Sequence, residues 1–173
     1  MSNRSIHSMG IYEALLRLAP YARQAGQAAL ALQPQIAALA DKTEKGGSRF
    51  ASAITDADYL IEDRLGLDVL TLFDDASYFG EERKKDRVSR YVAGDHPYIV
   101  TCDPVNGTLY YRDGLPLFEV ILTICNRKWE ILGSLIYWPA EDVMAIGYND
   151  PLNAHRGADL LRWHQRPTDA PYQ

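Results

Sequence analysis

Cysteine is scarce in this chain. Cys102 and Cys125 are the only two, they lack CxxC spacing, and both sit in apolar runs, so neither a structural zinc site nor a disulfide framework is expected and both read as small core residues. Histidine is equally thin: His7, His96, His155 and His164 are scattered, with no HExxH, and no GxSxG accompanies them, which removes support for zinc and serine hydrolases. No stretch reaches the roughly 18 apolar residues that span a bilayer, and the N-terminus lacks a charged segment followed by an apolar run. A cytoplasmic protein without a membrane partner is expected. Positive charge is also in short supply. The net charge of −5, with 47% hydrophobic residues, argues for a packed core and against a nucleic-acid partner.

What is present falls into two kinds of periodicity. From Gly10 to Ala40, Ile11, Leu15, Leu18, Ala22, Ala25, Ala29, Leu32, Ile36 and Leu39 recur at three or four, the pattern of an amphipathic helix, with interruptions expected near Pro20 and Pro34. The polar stretch "DKTEKGGSRFASA" reads as a loop in which Lys42 and Lys45 are solvated charges. Thr55 opens a second helix, with Ile61, Leu65, Val69, Leu72 and Phe73 on its apolar side and an end near Asp74. Then the period changes. "ASYFG" is a short strand or turn, and "YIVTC", "LFEVILTIC", "WEILGSLIYW" and "DVMAIG" read as strands, with "NRK" a hairpin loop. Two helices followed by an antiparallel meander predict an α+β fold. After Gly147 the last 26 residues hold two of the four histidines and three of the nine prolines without a sustained period.

Three acidic groups are candidates for chemistry, because carboxylates are the hard oxygen donors magnesium prefers. Asp58 lies at the start of the second helix, one turn before Glu62; Glu81 and Glu82 follow Gly80; Asp103 ends the "YIVTC" strand. Each has a plain structural reading: a near capping box at Thr55-Asp56-Ala57-Asp58, a solvated turn at "GEERKKDR", and a Pro-Gly turn at "DPVNGT".

Taken in order, T-x-x-D, G-E-E and "DPVNGTLYYRDGLPLFEVILTI" resemble the inositol monophosphatase family of magnesium-dependent, lithium-sensitive phosphatases, whose turn reads D-P-[ILV]-D-[GS]-T. "GSLIYWPAEDVMAIG" is similar to the family's next hairpin, so the resemblance covers roughly residues 10 to 147. It implies the N-terminal half of the family's α/β sandwich, two long helices on an antiparallel sheet. It further implies Mg2+ held by Glu81, Asp103 and the Val105 carbonyl, with Asn106 at a second metal. Asp58 and Thr108 would orient and deprotonate a water for in-line attack on phosphorus. Gly107 and Thr108 would cradle the phosphate of a small phosphorylated alcohol with their N–H groups.

Two departures bear on activity. Asn106 stands where the family has aspartate, so the second metal loses a charged ligand. The family's W-D-x-A-[AG] motif, whose aspartate holds that same metal, does not occur. The expectation is therefore a phosphomonoesterase-family protein with impaired activity. The alternatives are a non-catalytic metal- and phosphate-binding module and a structural or interaction protein. Residues 148–173 are expected to be a tail outside the family pattern, frameshifted or disordered. An apolar sheet edge left uncovered by a missing half gives an expectation of homodimerisation.

Overall fold

The computed structural model describes residues 4–43, 56–81, 95–150 and 155–162. Helix α1 (Ile6–Met9) leads into α2 (Ile11–Thr43), then α3 (Asp56–Leu72), β1 (Ala76–Gly80), β2 (Tyr98–Asn106), a short α4 (Thr108–Arg112), β3 (Glu119–Asn126), β4 (Ile131–Trp138), β5 (Val143–Asp150) and β6 (His155–Arg162). The six strands form one sheet in chain order. The α+β architecture expected from the two periodicities is the one observed. Among the described residues no helix is long and apolar enough to cross a membrane.

The core lies between the two long helices and one face of the sheet. Leu15, Leu18, Ala22 and Ala29 of α2 and Ile61, Leu65 and Val69 of α3 are buried, and so are Val100 and Cys102 of β2, Val120, Leu122 and Ile124 of β3, and Leu135 and Tyr137 of β4. Strand period two sends their neighbours Ile99, Thr101, Ile121, Thr123 and Ile136 to the other face, where they are half-buried. Each fully buried large aliphatic contributes about 1.5–3 kcal/mol.

Three expectations are corrected. Pro20 and Pro34 do not interrupt the first helix; both lie inside the 33-residue α2. Each removes an N–H and strains the preceding turn by about 3 kcal/mol, but a helix whose apolar stripe lies along the sheet has enough packing to continue through them. The sheet is mixed, because β1 runs parallel to β2 with Ala76 opposite Tyr98 and Gly80 opposite Cys102; the other pairings are antiparallel. The stretch after Gly147, without period in sequence, adds strand β6 along β5, from Val143 opposite Arg162 to Asp150 opposite His155. The expected boundary at Gly147 falls inside β5, and Asp150 beyond it is buried, its carboxylate accepting the Ile11 N–H at 3.1 Å at the start of α2. A negative charge at that helix end is favourable.

The "NRK" hairpin is a tight turn closed by Asn126. Its Oδ1 accepts the N–H groups of Lys128 (2.9 Å) and Glu130 (3.1 Å), the self-capping asparagine geometry that replaces a regular ladder bond. The β4–β5 hairpin is tied to α2 by a denser network: the Arg23 guanidinium makes two bonds to the Asp142 carboxylate, at 2.7 and 2.8 Å, and the Tyr137 hydroxyl donates to the same carboxylate at 2.7 Å.

Candidate active site

The segment that follows β2 is held from beneath by α2. Buried Gln33 donates its Nε2 to the carbonyls of Tyr111 (3.0 Å) and Leu115 (2.7 Å), and the Tyr111 hydroxyl donates to the Ala29 carbonyl at 2.7 Å. The Tyr111 ring meets Phe118 edge-on, centroids 4.8 Å apart. This fixes α4 and the turn before it against the helix layer.

Within the turn, Gly107 sits at φ +94°, ψ 30°, a conformation open mainly to glycine. A Cβ there would also lie 2.8 Å from the Leu117 carbonyl oxygen. Glycine is required twice over. Its N–H and that of Thr108 stand at the opening of α4. The Thr108 hydroxyl donates to the Val105 carbonyl at 2.9 Å, which uses the hydroxyl proton and leaves its lone pairs as acceptors. That carbonyl keeps a second lone pair for another partner.

Asp103 does not end its strand as expected but lies within β2, opposite Ile121 and three residues before the end at Asn106, half-buried. Its carboxyl is pushed up to about 7, first by burial, then by the charge of Glu81 and a hydrogen bond with it, with Asp58 adding repulsion. The three predicted carboxylates are thus brought into electrostatic reach of one another. The parallel pairing of β1 with β2 accounts for the meeting of two of them: Gly80 opposes Cys102, and the Glu81 N–H donates to the Cys102 carbonyl at 3.1 Å, leaving Glu81 beside Asp103. Asp58 is 1% exposed on α3 and also raises Tyr111, which burial pushes up to about 12. Thr55, Lys45 and Glu82 lie outside the described residues, as does most of residues 148–173 beyond β5 and β6.

Two adjacent hard carboxylate donors, Asp103 and Glu81, suit a magnesium ion, which takes one or two carboxylates and keeps several waters. The arrangement is not a dense cage. Among the described residues no group of three or more His, Cys, Asp or Glu side chains is placed to hold a metal ion.

Asn106 is exposed and turned toward β3. Its Nδ2 donates to Glu119 Oε2 at 3.1 Å, and Glu119 Oε1 accepts the Trp138 indole N–H at 3.2 Å. Neither Glu119 nor Trp138 is singled out by the sequence. The only available signal is a glutamate at the head of the otherwise apolar run "LFEVILTIC". Buried Glu62, one turn after Asp58, lies against Gly80, where a Cβ would come within 2.0 Å of its carboxyl carbon.

No protein-family model and no curated protein matches the sequence. Solved structures do match. The extragenic suppressor protein suhB from Bartonella henselae is similar over 86% of this chain and 52% of its own, with 18% identity and a TM-score of 0.64. An IMPase from Thermotoga maritima is similar over 90% and 55%, with 15% identity and a TM-score of 0.58. A 2'AMP-bound SaIMPase-II matches over 85% and 48%, with 18% identity and the same score. The chain therefore spans about half the length of these structures, and over that span it has the fold of the inositol monophosphatase and SuhB proteins.

Proposed function

We propose that the chain belongs to the magnesium-dependent phosphomonoesterases of the inositol monophosphatase family, acting on a small phosphorylated alcohol with activity reduced by Asn106. The observation that carries this reading is the Glu81–Asp103 pair: two carboxyl groups within hydrogen-bonding reach, Asp103 half-buried and Glu81 exposed, with Asp58 adding repulsion on Asp103. Such a pair is electrostatically costly without a cation, and the shared fold supports the choice of chemistry.

In this reading Glu81, Asp103 and the Val105 carbonyl hold Mg2+. When bound, the ion neutralises charge on the phosphoryl oxygens and lowers the pKa of water in its shell. Asp58, buried and within electrostatic reach of Asp103, would accept the proton. Thr108, whose own proton goes to Val105, can accept one hydrogen of an incoming water and so fix its direction. The Gly107 and Thr108 N–H groups face the phosphate. Asn106 offers a neutral Oδ1 at most, since its Nδ2 is committed to Glu119. Loss of that charge weakens a second cation, which acts on departure of the alkoxide more than on phosphate binding.

The same commitment of Asn106 favours a second reading, a module that binds one metal and phosphate without turnover. Calorimetric titration with magnesium, wild type beside Asp103→Ala, with phosphate release from inositol monophosphate assayed on the same samples, separates the two. Saturable binding abolished by the substitution together with turnover supports the enzyme; binding without turnover supports the module; no binding to the folded chain sinks both.

A further inference from the structure

Next to the turn, on the side to which Asn106 points, lies a pocket of about 430 Å³ lined by Asn106, Gly107, Tyr110, Glu119, Trp138 and Glu141 among others. We propose that it binds the organic ammonium group of a small phosphorylated amino alcohol, with Glu119 and Glu141 balancing the charge and Trp138 and Tyr110 packing on the cation. The proposal rests on the phosphomonoesterase reading for the phosphate end of that ligand only.

The lining itself argues for a cation. Among the described residues it contains two carboxylates, three aromatic rings and no Lys, Arg or His, and its volume is within the range of small-molecule sites. Aromatic faces attract organic cations, and the combination of such faces with a carboxylate is a recurring solution for substituted ammonium groups. A neutral polyol fits less well. Hydroxyl groups need donors as well as acceptors, and of the side-chain N–H groups on this wall the Trp138 indole N–H and one of the two on Asn106 Nδ2 already point at Glu119. The two carboxylates give this wall more acceptors than open donors, which favours a ligand that brings donors and positive charge.

Asn106 acquires a reason in the same geometry. It is the register partner of Glu119 across β2 and β3, so an aspartate at 106 would set two carboxylates side by side, an unfavourable cross-strand pair. The neutral amide instead holds Glu119 charged and oriented from one side while the Trp138 indole holds it from the other. Gly107 belongs to both the turn and the pocket lining, which places the phosphate and ammonium ends of one small molecule next to each other.

The test is titration of the full chain with ethanolamine, O-phosphoethanolamine and myo-inositol in the presence of magnesium at pH 7.0, where the amines are protonated. Affinity is read by calorimetry and the site by the NMR signal of the Trp138 indole N–H. Ethanolamine is expected to bind saturably and shift that signal, with affinity at least tenfold weaker in Glu119→Gln and in Glu141→Gln and unchanged in Asp103→Ala. Glu141 is exposed, so its substitution leaves the fold intact and keeps the test decisive if Glu119→Gln unfolds. O-Phosphoethanolamine is expected to bind at least tenfold more tightly than ethanolamine, a margin that Asp103→Ala removes. Ethanolamine binding without that margin would overturn the phosphate end and leave the ammonium pocket standing. No shift with ethanolamine, or a stronger one with myo-inositol, would overturn the pocket's assignment to a cation.

Discussion

Gln33 is the point at which the helix layer grips the loop that carries the candidate site, and replacing it with methionine measures that grip. The substitution keeps the length and most of the volume of the side chain and removes only the amide. Gln33 is 5% exposed and its Nε2 serves two carbonyls, Tyr111 at 3.0 Å and Leu115 at 2.7 Å. The losses are unequal. Tyr111 O also accepts the Gly114 N–H at 3.1 Å and stays satisfied, whereas Leu115 O loses the bond that reaches it from α2. One carbonyl left without that partner in a partly buried place costs about 1–3 kcal/mol, and the apolar methionine recovers little because the surrounding atoms are already packed. For a chain of this size that is a fall in Tm of about 3–8 °C. Urea unfolding followed by circular dichroism should show a lower midpoint at unchanged slope, the sign that the native state rather than the unfolded ensemble has changed. Gln24→Met, at an exposed position on the same helix, is the control and should stay within about 0.5 kcal/mol. Equal midpoints for Gln33→Met and wild type would refute the clamp, and with it the account of how Gly107 and Thr108 are positioned.

Two further outcomes are expected. Gly107→Ala should cost about 2–4 kcal/mol, combining a positive φ with overpacking against the Leu117 carbonyl, whereas Gly114→Ala, at φ +77° with only Ala37 nearby at 3.6 Å, should cost about 1–2 kcal/mol; equal melting shifts for the two would show that the Leu117 contact is immaterial. The Asp103 carboxyl is raised above its unfolded value of 3.8 to about 7, so the folded state binds the extra proton and, in EDTA, stability should fall as pH rises through that window. Because solvent still screens part of the group, the fall is on the order of 1–2 kcal/mol. Asp103→Asn should flatten the profile and melt higher than wild type at pH 7.5, and a wild-type profile already flat between pH 4 and 7 would contradict the contact with Glu81.

The long periodic segments were legible because burial leaves a period in the chain. Leu15, Leu18 and Ala22 must share a stripe to reach the sheet, and Val120, Leu122 and Ile124 must alternate with solvent-side neighbours. The features that escaped are those in which local chemistry is overruled or silent. Pro34 looks like a helix breaker, but it stands one residue after Gln33, whose bonds to the α4 loop hold that part of α2 in place. Strand β6 leaves no period because residues 156–160 are exposed on both faces, so its pairing with β5 rests on backbone bonds that any sequence can make.

The site divides along the same line. Asp103 and Gly107 were visible because the turn chemistry is contiguous, and Asp58 and Glu81 because their spacing resembles a known order. Glu119 and Trp138 were not visible, because their meeting is a property of register. With Asn106 opposite Glu119, and Val120 opposite Tyr137, the end of β2, the start of β3 and the end of β4 arrive at one edge of the sheet, and side chains distant in sequence close a single hydrogen-bonded wall. Asn106 read alone is a missing charge. In the folded chain it is half of a pair, and the other half carries the carboxylate.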